Sequence, residues 1–508
     1  MRGDTAERRE AAAQGSEHAG LSAHVRRGVA SFLPSALPLL SRRQYALELR
    51  ITAMLAFMLA GVEAGVAGVI VKHGYHALVE RGELSERALN LAVALVSSAT
   101  AIANITSFVW VRLAHGMDKV AFVNRMLVSM AGCVALLALV PKDDVHLLGA
   151  RVSGATGLWV FVSLIMLARM IWAGYISIRS TIWRANYERD IRARVTGRFA
   201  TVQVQCIALL ALGMGVAMEA SPDSFRILLP TGALFGLFAA WKYRSMRVRG
   251  HRKLLADEKG DDASAQPTLS PLSMVRLLAQ DRMFAGYMAC MFTIGMGNLM
   301  VTPLLTIVLK DRFNYDYLPS MLLTQSLPLL MMPLAIPYWA ARLGKKHVIE
   351  FRTLHCWLFA VVSCTLLIAS VTGATWLLYV AAIVQGFAWA GGVLAWNLGH
   401  LDFAPPHRAT QYMGVHVTLT GVRGILSPVL GVLVYNALEA SAPGRGGWVF
   451  AMSLGLILAS AIGFQVLGRA FQKARAEGRI AAHPGEGAPA PDQPRTTPVE
   501  PVAPSRNQ

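Results

Sequence analysis

Acid is scarce in this 508-residue chain, and so is charge of either sign. Asp and Glu number 30 against 48 Lys and Arg, and charged residues make up 15% of the sequence, where soluble globular proteins carry about 25%. That deficit argues against an ordinary soluble enzyme. The five cysteines, Cys133, Cys206, Cys290, Cys356 and Cys364, all fall in apolar surroundings with no C-x-x-C pair. An odd, dispersed set speaks against a disulfide framework or a zinc site and reads as small core hydrophobes. No G-x-x-x-x-G-K-[S/T] phosphate loop occurs, which excludes ATP-driven pumping by this chain alone, and no H-E-x-x-H motif is present. No cofactor or metal is expected.

Long apolar runs fill the space that charge leaves. The chain is 54% hydrophobic with a mean hydropathy of +0.45. A bilayer core about 30 Å thick is crossed by about 20 apolar residues in a helix, and within it the backbone must satisfy its own polar groups. Twelve such stretches are predicted as spanning helices, over 48–72, 88–112, 120–140, 156–178, 199–219, 225–242, 284–309, 319–341, 350–371, 375–397, 412–437 and 447–469. They are numbered here as spans 1 to 12. The expected fold is therefore all-α and integral to a membrane, with the lipid bilayer as its solvent.

Location explains the net charge of +18. Most Lys and Arg fall in the two tails and in alternate connectors, and Arg179, Arg184, Arg189, Arg192, Arg194 and Arg198 crowd the one after span 4. Basic residues are retained on the cytoplasmic side, so both termini are predicted to be cytoplasmic in a cell (inner) membrane. Charge spread along a membrane surface argues against a nucleic-acid partner. Ser41-Arg42-Arg43 ahead of span 1 loosely resembles a twin-arginine export signal but reads as a juxtamembrane anchor, since no cleavage site follows and eleven more spans do. The sequence divides into a tail (1–46) and a six-helix bundle (47–242), then a linker (243–283), a second bundle (284–470) and a final tail (471–508). Both tails are rich in Ala, Gly, Pro and charge and are expected to be largely disordered.

Six spans on each side of the linker imply two halves of equal orientation, a parallel repeat about an axis normal to the membrane. Two pairs of connectors echo one another. Asn186-Tyr187-Glu188-Arg189-Asp190-Ile191-Arg192 after span 4 and Asp402-Phe403-Ala404-Pro405-Pro406-His407-Arg408 after span 10 share an aromatic followed at equal spacing by Arg. The turn Leu113-Ala114-His115-Gly116-Met117-Asp118-Lys119 parallels Trp339-Ala340-Ala341-Arg342-Leu343-Gly344-Lys345-Lys346.

With these turns, the region from about 45 to 470 resembles the major facilitator superfamily of secondary transporters. That family's turn signature is an Asp–Arg pair followed by Gly and two basic residues. Here the second copy keeps Arg342, Gly344, Lys345 and Lys346 but has Ala341 in the acid's place, and the first keeps Lys119, with Asp118 before it and His115 where the acid would stand. The resemblance implies two pseudo-symmetric six-helix bundles around a central cavity, lined by spans 1, 4, 7 and 10 and opening alternately to either side.

Few polar groups interrupt the spans. A charge at the bilayer centre costs about 2.5–3.5 kcal/mol on insertion scales and usually faces a partner or a watery cavity. Glu63 lies mid-span 1, on the opposite side from Gly61, Gly65 and Gly68, which are expected to share one close-packing face. Arg169 in span 4 lies about 6 Å from it in depth and is its expected partner. Glu63 reads either as a proton carrier, with Arg169 exchanging it for an anionic substrate group, or as one half of a permanent buried ion pair.

Asn298, Thr302 and Thr306 share a face of span 7, and Gln385, Trp389, Gly392 and Trp396 share one of span 10. With Trp172 they are candidates for a pocket suited to a small amphipathic organic solute. Span 11 carries His416, Thr420, Arg423 and Ser427 on one polar face. His416 is a second proton-relay candidate, because an unperturbed imidazole titrates at about 6.5. Arg423 is a substrate ligand, or else this face makes inter-helix hydrogen bonds, with Arg423 held by loop carbonyls or Asp402. The turns around His115, Asp118, Lys119, Arg342, Gly344, Lys345 and Lys346 are expected to gate the cycle.

The resulting expectation is a monomeric secondary transporter whose partners are a small-molecule substrate and protons, with export the favoured direction. Proton-coupled uptake of an organic anion or metabolite, and a non-transporting receptor of the same fold, are the rival readings. A membrane enzyme would need nucleophile, base or metal ligands gathered at one depth, and only the scattered Glu63 and His416 qualify.

Overall fold

The computed structural model describes residues 32–147, 150–260, 271–404 and 408–478. The tails predicted to be disordered lie outside these residues over 1–31 and 479–508, as do Pro405, Pro406 and His407 of the second connector motif. Among the described residues, twelve helices are long and apolar enough to cross a membrane. They are Leu39–Glu80, Glu86–Ile105, Lys119–Leu137, Gly154–Asn186, Arg194–Ala220 and Pro222–Tyr243, then Arg282–Asp311, Tyr317–Leu343, Val348–Thr372, Trp376–Asp402, Gln411–Ser441 and Gly446–Ala476. Twelve crossings return the chain to the face on which it began, called here the terminal face, and the other is the far face.

Helix continues beyond the apolar core at several ends. Span 1 begins at Leu39 rather than near 48, because Arg42 folds back to donate to the carbonyls of Leu37 (2.8 Å) and Ser35 (3.0 Å) and so tolerates the membrane edge. The linker carries two helices, His251–Gly260 and Pro271–Gln280, and the connector between spans 3 and 4 holds a short antiparallel ribbon pairing His146 with Arg151.

Packing repeats with an offset of six. Span 1 packs on 5 and 6 as span 7 packs on 11 and 12; span 3 packs on 4 and 6 as span 9 packs on 10 and 12; span 4 packs on 2 as span 10 packs on 8. Spans 2 and 11, 5 and 8, and 1 and 7 join the halves. Glycine allows the closest approaches. A Cβ at Gly232 of span 6 would sit 2.7 Å from the Phe57 carbonyl oxygen of span 1, and one at Gly297 of span 7 would sit 2.8 Å from that of Ser453 of span 12. Backbone cannot yield as a side chain can, so Gly232→Val should overpack the first bundle and cost about 1–3 kcal/mol. A lower thermal midpoint of the purified protein checks this.

Two spans that face each other across the halves are interrupted. Span 1 breaks between helices Leu39–Ala60 and Ala64–Gly74, with Glu63 extended between them (φ −69°, ψ 142°). Gly61 is the weakest helix former there. Span 7 breaks at Met300, between Arg282–Leu299 and Val301–Asp311. Pro303 supplies the cause, since its ring has no N–H and clashes with the carbonyl four residues back, at Leu299. Span 8 relaxes the same conflict at Pro328 with a π-turn over Leu322–Ser326. The break in span 1 also overturns the expectation that Gly61, Gly65 and Gly68 share a face. Gly61 meets Leu229 of its own bundle, whereas Gly65 meets Gln325 and Gly68 meets Thr306 of the other.

Candidate functional site

Breaking span 1 at Glu63 aims its carboxylate across the bundle at span 4. Arg169 donates from one terminal nitrogen to Glu63 Oε1 (2.8 Å) and from the other to Thr100 Oγ1 of span 2 (2.7 Å). The arginine side chain is 8% exposed and the glutamate 21%, and the arginine borders a cavity. That cavity, about 280 Å3, is lined by Thr100, Asn104, Arg169 and Trp172 of the first bundle and by Trp396 and Val417 of the second. The predicted Glu63–Arg169 contact is present, with Thr100 as a third member that its small, uncharged side chain kept inconspicuous in sequence.

Trp396 is shared with a second cavity of about 270 Å3, walled by Met291, Asn298, Phe359, Trp389, Thr420, Arg423 and Arg352. Its indole donates to Thr420 Oγ1 (3.3 Å), which also accepts from Arg423 (3.2 Å). Arg423 donates further to the Met291 carbonyl of span 7. This is the inter-helix hydrogen bonding expected as the alternative for this face, with one correction: the carbonyl is a helical one and not from a loop, and Asp402 caps span 9 by accepting from the Val348 amide (2.7 Å).

Of the other predicted residues, Thr302 and Gln385 line neither cavity. Thr302 uses its carbonyl to accept from Thr306 Oγ1 (3.0 Å). Gln385 is buried one turn nearer the far face than Trp389, where Gly386 lets span 10 close on the Pro328 carbonyl. His416 is fully buried, its ring lies 5.6 Å from that of Trp396, and neither nitrogen has a hydrogen-bond partner among the described residues.

At the turns, Gly116 takes a left-handed φ of +67° that suits glycine, just after His115. Asp118 caps span 3 by accepting from the Ala121 amide (2.9 Å) and meets His251 (3.2 Å). Glu258 of the linker accepts from Lys119 Nζ and from the Gly116 amide (2.9 Å). A carboxylate thus does reach this turn, supplied from far along the chain. In the second turn Gly344 caps span 8 after Arg342, and Lys345 and Lys346 are exposed.

On the far side, Lys72 of span 1 is wholly buried. Its ammonium donates to Asn90 Oδ1 of span 2 (2.7 Å) and pairs with Asp311 of span 7 (2.7 Å), with Glu86 at 3.6 Å. Asp311 also accepts from the Tyr435 hydroxyl of span 11 (3.1 Å), and Asn90 donates to Asn436 (2.9 Å). Nearby, Thr324 Oγ1 of span 8 donates to the Gly65 carbonyl (3.2 Å) and Glu219 of span 5 accepts from the Leu318 amide (3.0 Å). These bonds tie the two bundles together on that side.

The Major Facilitator Superfamily profile matches residues 51–428. This chain belongs to that superfamily. Solved structures similar to this superfamily member include a D-xylose-proton symporter, at 14% identity and a TM-score of 0.62 over 83% of this chain and 97% of that one. The nucleoside transporter NupG (14%, TM-score 0.57, covering 83% and 98%) and a peptide transporter POT in complex with sulfate (15%, 0.58, covering 86% and 98%) are also similar. At such identities the likeness is one of fold. No curated protein matches the chain in sequence.

Proposed function

We propose that this Major Facilitator Superfamily protein is a secondary active transporter that moves a small amphipathic organic solute by alternating access, coupled to protons, with export as its direction and both termini cytoplasmic. The observation that carries this reading is the Glu63–Arg169 pair, set at a break in span 1, with Arg169 lining a cavity between the bundles. Protonation of Glu63 removes the negative member of the pair and frees Arg169, so proton uptake and the charge of the cavity change together. The aromatic walls at Trp172, Trp389 and Trp396 suit a flat apolar body, and Asn298 and Thr420 supply a few polar groups to orient it.

The test uses the full chain in liposomes. Solutes from a panel of metabolites and amphiphiles that raise the thermal midpoint are offered for transport with and without a pH gradient. Wild type should accumulate at least one of them only with the gradient. Glu63→Gln keeps a hydrogen-bond acceptor for Arg169 and should keep ligand stabilisation, while gradient-driven accumulation falls to the level of empty liposomes. Accumulation by Glu63→Gln equal to wild type would end the proton assignment.

A further inference from the structure

The second cavity holds two guanidinium groups and no counter-charge. Arg352 of span 9 is 3% exposed and Arg423 of span 11 is 5% exposed, and both line the cavity. Among the described residues neither forms an ion pair, in contrast to Arg169, which has Glu63. Each guanidinium carries five N–H donors. Arg423 spends its bonds on the Met291 carbonyl and the Thr420 hydroxyl, Arg352 donates one to His355 Nδ1 (3.0 Å), and the Nε of each is buried without a partner. Because Arg can only donate, His355 Nδ1 must accept. Its Nε2–H then donates to the Ala388 carbonyl (2.9 Å), leaving a neutral imidazole that positions Arg352 without offsetting its charge.

Arg423 is held in place as firmly. A Cβ at Gly295 would sit 2.4 Å from its Cδ and Nε, so this glycine of span 7 is what lets the side chain cross the helix surface into the cavity. Buried, unpaired charge costs several kcal/mol, and a fold retaining two on one cavity wall is complementary to an anion that enters it. Guanidinium groups are suited to planar or tetrahedral oxyanions. Phe359, Trp389 and Trp396 surround the same space with aromatic rings.

We infer that Arg352 and Arg423 form an anion-binding subsite, and that the transported solute is an organic anion: a carboxylate, sulfonate or phosphate monoester on an apolar or aromatic body. This deepens the transport reading above and rests on it for the word transported; the subsite itself can be read without flux.

The full chain, purified in detergent, is titrated calorimetrically with naphthalene-2-sulfonate and naphthalene-2-carboxylate, with neutral 2-naphthamide, and with cationic 2-naphthylmethylammonium. Both anions should bind, and the amide should bind about tenfold more weakly or worse, as expected for loss of charge-assisted hydrogen bonds. The cation should not bind. Arg352→Gln and Arg423→Gln should each weaken the anions by a similar factor, and Arg352→Lys should recover part of the loss. Equal affinity for amide and anion, no binding of either anion, or wild-type affinity in a well-folded Arg352→Gln would overturn the subsite. Should Arg423→Gln not fold, the wild-type anion–amide comparison and Arg352→Gln still decide. The titration is repeated in zwitterionic nanodiscs with and without phosphatidylglycerol. Loss of anion binding on adding that lipid would reassign the site to a lipid headgroup and overturn the solute assignment. Gradient-driven flux of a neutral solute that Arg352→Gln leaves unchanged would remove the anion from the cargo while transport stands.

Discussion

Asp311→Asn should loosen the far side of the transporter more than any other conservative change. It leaves the Lys72 ammonium, wholly buried, with Asn90 and the more distant Glu86 as its neighbours. Removing one partner of a buried ion pair costs about 3–5 kcal/mol where the other charge is left uncompensated; with Glu86 still 3.6 Å from Lys72 the loss here is a part of that, about 1–3 kcal/mol. Here that cost falls on one conformation. Lys72 belongs to the first bundle and Asp311 to the second, so a state in which the far side opens must separate and hydrate both groups. The variant therefore weakens the far-closed state relative to the far-open one. Thr306, 1% exposed and facing Gly68 between the bundles, reports the change if replaced by cysteine in a background whose five cysteines are alanine. Its labelling by a membrane-impermeant maleimide should speed up by a factor between about five and 150, the usual span of conformational coupling energies. Lys72→Met combined with Asp311→Leu should restore slow labelling, since an apolar pair of similar volume pays no desolvation. Unchanged labelling in Asp311→Asn would mean that this ion pair does not hold the bundles together.

The architecture and one of the charge clusters are legible in the residues because both rest on strong, local energetics. Twenty apolar residues in sequence have few alternatives in a bilayer, and six spans either side of a linker impose parallel halves, as the repeated packing of spans 1, 5 and 6 and of 7, 11 and 12 shows. Glu63 and Arg169 stand out because each is alone in the middle of an apolar run, and matching their depths suffices to pair them. Lys72, Asp311 and Arg352 carry equal weight in the structure and pass unnoticed in the sequence. Lys72 ends the predicted 48–72 segment, Asp311 falls just beyond 284–309, and Arg352 sits at the start of 350–371. At such places a charge normally meets water, and only the contact between bundles, or the burial of a helix end, makes it significant. Glu258 is hidden for a related reason, since nothing local ties a linker carboxylate to a turn far back in the chain. The break at Glu63 shows the limit of helical-wheel reasoning: once Gly61 to Glu63 leave the helix, angles counted from Gly61 no longer apply to Gly65 and Gly68.

Gly65→Val should act on the same equilibrium by sterics alone. The Cβ of any larger residue there would lie 2.4 Å from Gln325 Oε1 and 3.0 Å from the Thr324 carbonyl oxygen. The amide end of Gln325 can swing aside, but the Thr324 carbonyl belongs to the π-turn of span 8 and moves only if the bundle moves. Overpacking of this kind costs about 1–3 kcal/mol, and it arises only while the far side is closed. Any gain from replacing glycine within a helix is present in both conformations and cancels from their ratio. Cysteine at 306 should thus label faster in Gly65→Val by up to about 150-fold, with little loss of thermal stability. Gly232→Val supplies the contrast, because its clash with Phe57 lies inside one bundle and persists through the whole cycle. It should lower the thermal midpoint and leave labelling unchanged. If both variants lower stability and neither alters labelling, the bundles do not move as rigid bodies about the contact at Gly65, and rocking of the two halves fails as the basis of access.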